Sequence, residues 1–91
     1  MINVLKRDLK EKNKEIIARD YIPGNIYASH LEKSIPIEIY KTDFIRLVES
    51  GDHKPTINLN LNGDIKKCSL REVQVDPIKG NYIHLDFLLL K

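Results

Sequence analysis

The chain has 91 residues, of which 42% are hydrophobic and 31% charged, and its formal net charge is +2. This composition is typical of one globular domain, and no apolar run approaches the roughly 20 residues that a membrane-spanning helix needs. The charge is well below that expected of a protein whose whole surface binds nucleic acid. Nothing reads as a secretory signal, so we expect a cytoplasmic protein outside the membrane.

The first part of the chain predicts two strands and a short helix. We expect a strand over residues 2–7 and a helix over residues 14–20, with Asn13 as its N-cap. A turn is predicted at Pro23 and Gly24, because the proline disfavours helix in the residue before it and glycine tolerates turn conformations. A second strand should then cover residues 25–28.

The middle of the chain predicts a half-buried strand and a second helix. Residues 35–40 alternate between isoleucine and other residues, as strands with one buried face do. Pro36 lacks an amide donor, which favours an edge strand or a position near a strand start. Thr42 is expected to cap a helix over residues 43–49, and Gly51 to end it.

The last part predicts a hairpin and a final strand. Residues 56–62 alternate regularly, and Asn62-Gly63 is the commonest two-residue hairpin turn signal. The return strand should run from Ile65 to Val75 with a bulge that reconciles its spacing, and residues 76–81 should turn the chain into the last strand. Cys68 is the single cysteine, so no internal disulfide is possible, and its strand setting favours a buried thiol.

Alternation along the final strand separates a core face from a polar face. The apolar residues expected to share one core are Ile57, Leu59, Leu61, Ile83, Leu85 and Phe87. We expect the opposite face to carry Tyr82, His84 and Asp86. The last two lie about 7 Å apart along one strand and can reach a single partner laid across the sheet. RNA is a candidate for that partner.

Together the elements predict a mainly β fold with two short helices. Six strands joined largely by hairpins should form an antiparallel or mixed sheet that closes into a barrel, because closure removes exposed strand edges in so small a domain. The sequence contains no catalytic motif. His30, His53 and His84 show no metal-ligand spacing, and the four glycines form no phosphate-binding motif. We expect no catalysis, metal or cofactor.

Three segments in this order carry a family resemblance. They are Ile22-Pro23-Gly24-Asn25-Ile26-Tyr27, Glu72-Val73-Gln74-Val75-Asp76-Pro77 and His84-Leu85-Asp86-Phe87. The chain resembles the bacterial large-subunit ribosomal protein L-twenty-five family, whose members bind 5S ribosomal RNA. The resemblance covers nearly the whole chain and is to the short ribosomal form, without the extra C-terminal domain of longer relatives that include general stress proteins.

The resemblance implies a six-stranded barrel with flanking helices in the central protuberance of the large ribosomal subunit. It further implies binding to the loop E region of 5S ribosomal RNA through a widened minor groove, by a protein that is monomeric when free. Residue by residue, Arg7 is similar to the family's early arginine, Tyr27 to its strand tyrosine, Gln74 to its glutamine, and His84 and Asp86 to its terminal pair. The remaining RNA-binding candidates are the cations Lys10, Lys12, Lys14 and Arg19.

The sequence also departs from the family. Ile17 and Ala18 stand where the first helix usually carries arginines, Asp20 replaces a usual glycine, and Ala28 another. Two alternatives therefore stay open: a protein-interaction or stress-related barrel that has lost strong RNA binding, and an anticodon-binding barrel detached from a synthetase. The polar face of the last strand argues against both, because a stable fold alone does not require histidine and aspartate there.

Overall fold

A computed structural model describes residues 1–30, 32–50 and 56–90 of the chain. The elements in chain order are β1 (Ile2–Lys6), α1 (Asn13–Ala18), β2 (Tyr21–Tyr27), β3 (Ile35–Tyr40), α2 (Lys41–Glu49), β4 (Ile57–Leu61), β5 (Asp64–Val75) and β6 (Tyr82–Leu89). The strands close into a barrel in the order β1-β3-β2-β6-β5-β4. Two neighbouring pairs are parallel: β1 with β4, and β2 with β6. The predicted mixed six-stranded barrel is therefore confirmed. Neither α1 nor α2, the helices of the described residues, is long and apolar enough to cross a membrane.

All six strands and α2 contribute to one core inside the barrel. Its buried residues are Ile2, Val4, Ile22, Ile26, Ile37, Ile39, Phe44, Ile57, Leu59, Cys68, Leu85 and Phe87. Four of the six predicted core residues belong to this set, and Leu61 is partly buried against it. Apolar burial of this kind is the main favourable contribution to the stability of the barrel.

Ile83 does not join the core, contrary to the alternation of the sequence. Gln74 on β5 pairs with His84 on β6, and the next residue, Val75, pairs with Tyr82. Ile83 is therefore the additional residue of a bulge in β6. Because a bulge interrupts the alternation of faces, Tyr82 packs against the core instead, with its ring 5.1 Å from that of Phe44. Ile83 lines an open groove beside Ile17 of α1.

The hairpin between β4 and β5 follows the prediction. Asn62 and Gly63 have φ angles of 53° and 87°, the left-handed pair that a two-residue turn of this class requires. The predicted bulge in β5 is present, since Leu70 pairs with Phe87 and Glu72 pairs with Asp86, the next residue back on β6. The local turn chemistry thus sets where the hairpin begins.

The predicted turn at Pro23 and Gly24 is wrong, because both residues lie within β2. The chain turns earlier, at Asp20, whose φ of 64° is left-handed, a conformation that glycine adopts most readily and aspartate tolerates. Gly24 serves strand packing: a Cβ atom there would lie 2.6 Å from the carbonyl oxygen of Leu85 on β6. Glycine therefore permits the close approach of β2 and β6.

Both predicted helix caps are also wrong. α1 begins at Asn13, whose side-chain oxygen accepts a hydrogen bond from Arg7 at 3.5 Å and caps no helix. α2 begins at Lys41, directly after β3, so Thr42 lies within the first turn of the helix. The predicted end at Gly51 lies outside the described residues.

β3 is not an edge strand, because it pairs with β1 on one side and β2 on the other. Pro36 is its second residue, so the alternative expectation, a position near the strand start, is the correct one. The carbonyl oxygen of Pro36 accepts a hydrogen bond from the backbone nitrogen of Arg7 at 3.1 Å. This contact fixes the backbone of Arg7 as the chain leaves β1.

Candidate nucleic-acid interface

The outer faces of β2 and β6 bring together polar residues that are far apart in the sequence. Asn25 and Asp86 are direct neighbours in the parallel pairing of the two strands. Tyr27 and His84 each lie two residues away along their strands and therefore project to the same face. Arg7 reaches this face from the end of β1. We call these five residues the polar cluster.

Hydrogen bonds connect the polar cluster through Asn25. The Nη2 atom of Arg7 donates to Oδ1 of Asn25 at 3.0 Å. The Nδ2 atom of Asn25 donates to the Tyr27 hydroxyl at 3.3 Å and lies 3.2 Å from Nε2 of His84. On the other side of the imidazole, Nδ1 of His84 lies 3.3 Å from Oδ1 of Asp86.

The polar cluster is partly withdrawn from solvent. The His84 and Asp86 side chains are 20% and 18% exposed, whereas Tyr27 is 43% exposed at the rim. Nδ1 of His84 and Oδ1 of Asp86 are buried and face each other without the alignment of a hydrogen bond. Low exposure strengthens electrostatic interaction between such groups relative to the same pair in water.

Four members of the polar cluster were predicted from the sequence, and the fifth, Asn25, was not. Gln74, also predicted, is exposed on β5 and pairs with His84 across the antiparallel ladder, so it adjoins the polar cluster. Asn25 is the residue that connects the others. Its position two residues before Tyr27 on one strand was the available signal, because such residues share a face.

The predicted lysines lie in the segment after Arg7, and Lys14 lines a groove with Ile83, the neighbour of His84 on β6. Lys10 lies in a turn whose backbone nitrogen donates to Asp8 at 2.9 Å, Lys12 directly precedes α1, and Lys14 lies within it. All three side chains are exposed. The hydrogen bond between Arg7 and Asn13 joins this lysine segment to the polar cluster, so both can face one partner.

Arg19 has a different environment from the other predicted cations. Its guanidinium donates to both carboxylate oxygens of Glu11 at 2.8 Å and to those of Glu38 at 3.0 and 3.2 Å. It also lies 5.1 Å from the centre of the Tyr21 ring. The hydrogen bonds to Glu11 and then Glu38 raise the pKa of Arg19 further above its ordinary value. These contacts connect α1 to β3 and leave Arg19 outside the polar cluster.

This surface combines hydrogen-bonding side chains with nearby positive charge. Within residues 1–30, 32–50 and 56–90, no three histidine, cysteine, aspartate or glutamate side chains are grouped to hold a metal ion. The polar cluster offers donors and acceptors on a rigid sheet face, next to exposed lysines. The minor groove of RNA is wide and shallow and displays 2′-hydroxyls and base edges, which such a mixed set of groups can contact.

Comparison with known proteins identifies relatives over nearly the whole chain. The family model described as the Ribosomal L25p family matches residues 2–87. Proteins named large ribosomal subunit protein bL25 are similar to the chain: that of Dictyoglomus turgidum is 35% identical over 94 residues, and that of Thermoanaerobacter pseudethanolicus is 29% identical over 87 residues. Each alignment covers 94% of this chain but only 45% and 43% of the respective relative. The chain therefore spans less than half the length of these curated relatives.

Proposed function

The chain belongs to the Ribosomal L25p family, and from this we propose that it is a structural component of the large ribosomal subunit that binds 5S ribosomal RNA. The proposed binding site is the widened minor groove of the loop E region, and the proposed location is the central protuberance. The family is one of structural ribosomal proteins, so the domain is not an enzyme.

One observation carries the RNA-binding proposal: the polar cluster and Gln74 lie together on one outer sheet face. Arginine supplies only donors, aspartate only acceptors, and asparagine and glutamine supply both. Base edges and 2′-hydroxyls in an RNA minor groove present the same mixture. A protein that used this face only to stabilise its barrel would not need His84 and Asp86 to be partly exposed.

The lysine segment supports the proposal through charge. Lys10, Lys12 and Lys14 are exposed and close in sequence to Arg7, which belongs to the polar cluster. Protein contacts to phosphates position a nucleic acid, whereas contacts to base edges specify its sequence. In the proposed complex the lysines therefore contact the backbone that flanks the groove, and the polar cluster contacts the groove itself.

Direct binding to an RNA fragment tests the proposal. We expect the chain to bind a loop E fragment of 5S ribosomal RNA more tightly than a control in which the loop is replaced by a regular duplex of equal length and charge. Titrations of both RNAs at one fixed salt concentration give the comparison. Equal affinity for the two fragments would contradict loop E recognition, and no binding to either would favour the protein-interaction barrel.

Association with the ribosome is a separate test. Sedimentation of the chain with large subunits that lack their own member of this family should show one copy bound for each subunit. Competition by the free loop E fragment would connect this binding to the polar face. Sedimentation that the fragment leaves unchanged would indicate a protein contact on the subunit.

A further inference from the structure

We propose that Asn25 is a positioning residue that sets the direction of hydrogen bonding through the polar cluster and fixes the tautomer of His84. The inference deepens the proposed RNA-binding function and rests on it only in its final step. Its first steps concern the free protein and follow from the donor and acceptor capacity of each side chain.

The orientation of the Asn25 amide follows from Arg7. A guanidinium has no acceptor, so the Asn25 atom 3.0 Å from Nη2 of Arg7 must be its carbonyl oxygen. The amide nitrogen, Nδ2, consequently points to Tyr27 and His84, at 3.3 and 3.2 Å. Arg7 thereby determines which end of the amide His84 meets.

The tautomer of His84 follows from the amide orientation. An amide nitrogen only donates, so Nε2 of His84 must accept and can carry no proton. The proton of the neutral ring is then on Nδ1, which faces Oδ1 of Asp86 at 3.3 Å. Donation therefore runs in one direction, from Arg7 through Asn25 to His84, and the remaining ring proton of His84 points toward the Asp86 carboxylate.

This direction decides what the surface offers to RNA. The Tyr27 hydroxyl accepts from Asn25 and keeps its own proton for an outside acceptor. Asp86 uses Oδ1 toward His84, which leaves Oδ2 as the acceptor for an outside donor. Asn25 therefore presents a donor at Tyr27 and an acceptor at Asp86 without contacting RNA itself, and His84 aligns the carboxylate.

Two substitutions at Asn25 separate positioning from packing. Asn25→Asp keeps an acceptor for Arg7 but removes the donor, so the single proton of the neutral His84 ring should move from Nδ1 to Nε2 and be donated to the new carboxylate. Asn25→Leu keeps the approximate size and removes both functions, so that Asp86 alone still favours a proton on Nδ1 of His84. Asn58→Asp is the matched control, because Asn58 is exposed on β4 and gains the same charge.

Long-range ¹H–¹⁵N spectra of the imidazole report the tautomer directly. They are recorded at a pH where titration shows the ring of the free protein to be neutral, with His84 assigned by its loss in His84→Gln. We expect a proton on Nδ1 in the wild type and in Asn58→Asp, and a proton on Nε2 in Asn25→Asp. A wild-type ring protonated on Nε2, or the same tautomer in the wild type and Asn25→Asp, would overturn the proposal.

Affinity for the loop E fragment tests the last step. Asn25→Leu should bind about tenfold more weakly than the wild type, the effect of losing one hydrogen bond to charged groups, while remaining folded. Wild-type affinity in a folded Asn25→Leu chain would overturn the positioning role. If the wild type binds no RNA, the proposed function fails, whereas the spectra still decide the direction of hydrogen bonding.

Discussion

The Nδ1 atom of His84 lies 3.3 Å from Oδ1 of Asp86, and both atoms are buried although each side chain is partly exposed. The two residues are separated by one residue on β6, and the pairing of β6 with β2 places Asn25 beside them. An acidic residue on a face proposed to bind RNA is unexpected, since phosphates repel carboxylates. The geometry gives Asp86 a role that its charge alone would not suggest.

Replacing Asp86 by asparagine distinguishes that role from an incidental one. If Asp86 were incidental, Asp86→Asn should tighten RNA binding by removing a negative charge. If Asp86 accepts from an RNA donor while its other oxygen faces His84, the amide of asparagine has less accepting capacity, and the substitution should cost about 1 to 3 kcal/mol of binding free energy. Titration with the loop E fragment at fixed salt measures the sign.

Glu15→Gln is the control for Asp86→Asn, because Glu15 is exposed on α1 near the lysines and its replacement removes the same charge. This variant should bind RNA equally well or slightly more tightly. Tighter binding by both variants would remove Asp86 from the proposed interface.

The lysine segment should account for much of the salt dependence of RNA binding. Replacing Lys10, Lys12 and Lys14 by alanine should weaken binding and reduce the slope of log K against log salt by roughly 0.7 to 0.9 for each phosphate that the protein no longer neutralises. The same three substitutions should leave the melting temperature nearly unchanged, because these side chains are exposed. A slope equal to that of the wild type would mean that the lysines are solvated in the complex.

Glu38 should support RNA binding indirectly, through Arg19. Its side chain is only 6% exposed and lies 3.0 Å from the guanidinium that connects α1 to the barrel. We expect Glu38→Gln to lower the melting temperature by several degrees and to weaken RNA binding, because Lys14 moves with α1. Glu49→Gln, an exposed change of the same charge on α2, should do neither. Tighter RNA binding by Glu38→Gln would show that its charge matters more than its hydrogen bonds to Arg19.

Gly24 should control the spacing that holds Asn25 next to Asp86. In Gly24→Ala the new Cβ would meet the Leu85 carbonyl oxygen at 2.6 Å, which should cost about 1 to 3 kcal/mol of folding free energy. Because the two strands are displaced, the Gly24→Ala molecules that remain folded should also bind RNA more weakly than the wild type. Denaturant unfolding and titration of the folded protein measure the two effects separately.

Gly63→Ala is the matched comparison for Gly24→Ala. Gly63 has a φ of 87° with no neighbouring atom within 4 Å of an added Cβ, so alanine strains the hairpin turn alone. It should destabilise the fold by about 1 to 2 kcal/mol and leave RNA affinity unchanged. Equal reduction of RNA affinity in both variants would exclude a specific role for the β2–β6 spacing.

Stability should fall at alkaline pH because of Cys68. Burial, opposed by the attraction of Lys66, raises the pKa of this thiol to about 11 from an ordinary value of 9.0. The unfolded thiol ionises first, so the contribution to stability is complete below pH 9 and is lost as the pH rises from about 9 to 11. Between these pH values, the free energy of unfolding of the wild type should fall by up to about 2 kcal/mol more than that of Cys68→Ala. Denaturant unfolding at each pH measures this difference. Parallel pH profiles for the two proteins would contradict it.

The sequence by itself determined the elements whose signals are local. Alternation identified the strands and the polar face of β6, and Asn62-Gly63 identified the hairpin turn because its left-handed angles depend on those two residues alone. The closed six-stranded barrel followed from the number of predicted strands, because closure removes exposed strand edges in a small domain. The resemblance supplied Arg7, Tyr27 and Gln74, which the structure brings close to His84 and Asp86.

Only the tertiary structure decided features that depend on pairing between distant strands. Ile83 leaves the core because β5 and β6 differ in register by one residue, which no short pattern within β6 can reveal. Gly24 is needed for the close approach to Leu85 and for no local turn. Asn25 becomes the centre of the polar cluster because β2 lies parallel to β6 and Arg7 arrives from β1. Each of these three features depends on contacts between residues far apart in the chain, which strand pairing determines and local sequence preference does not.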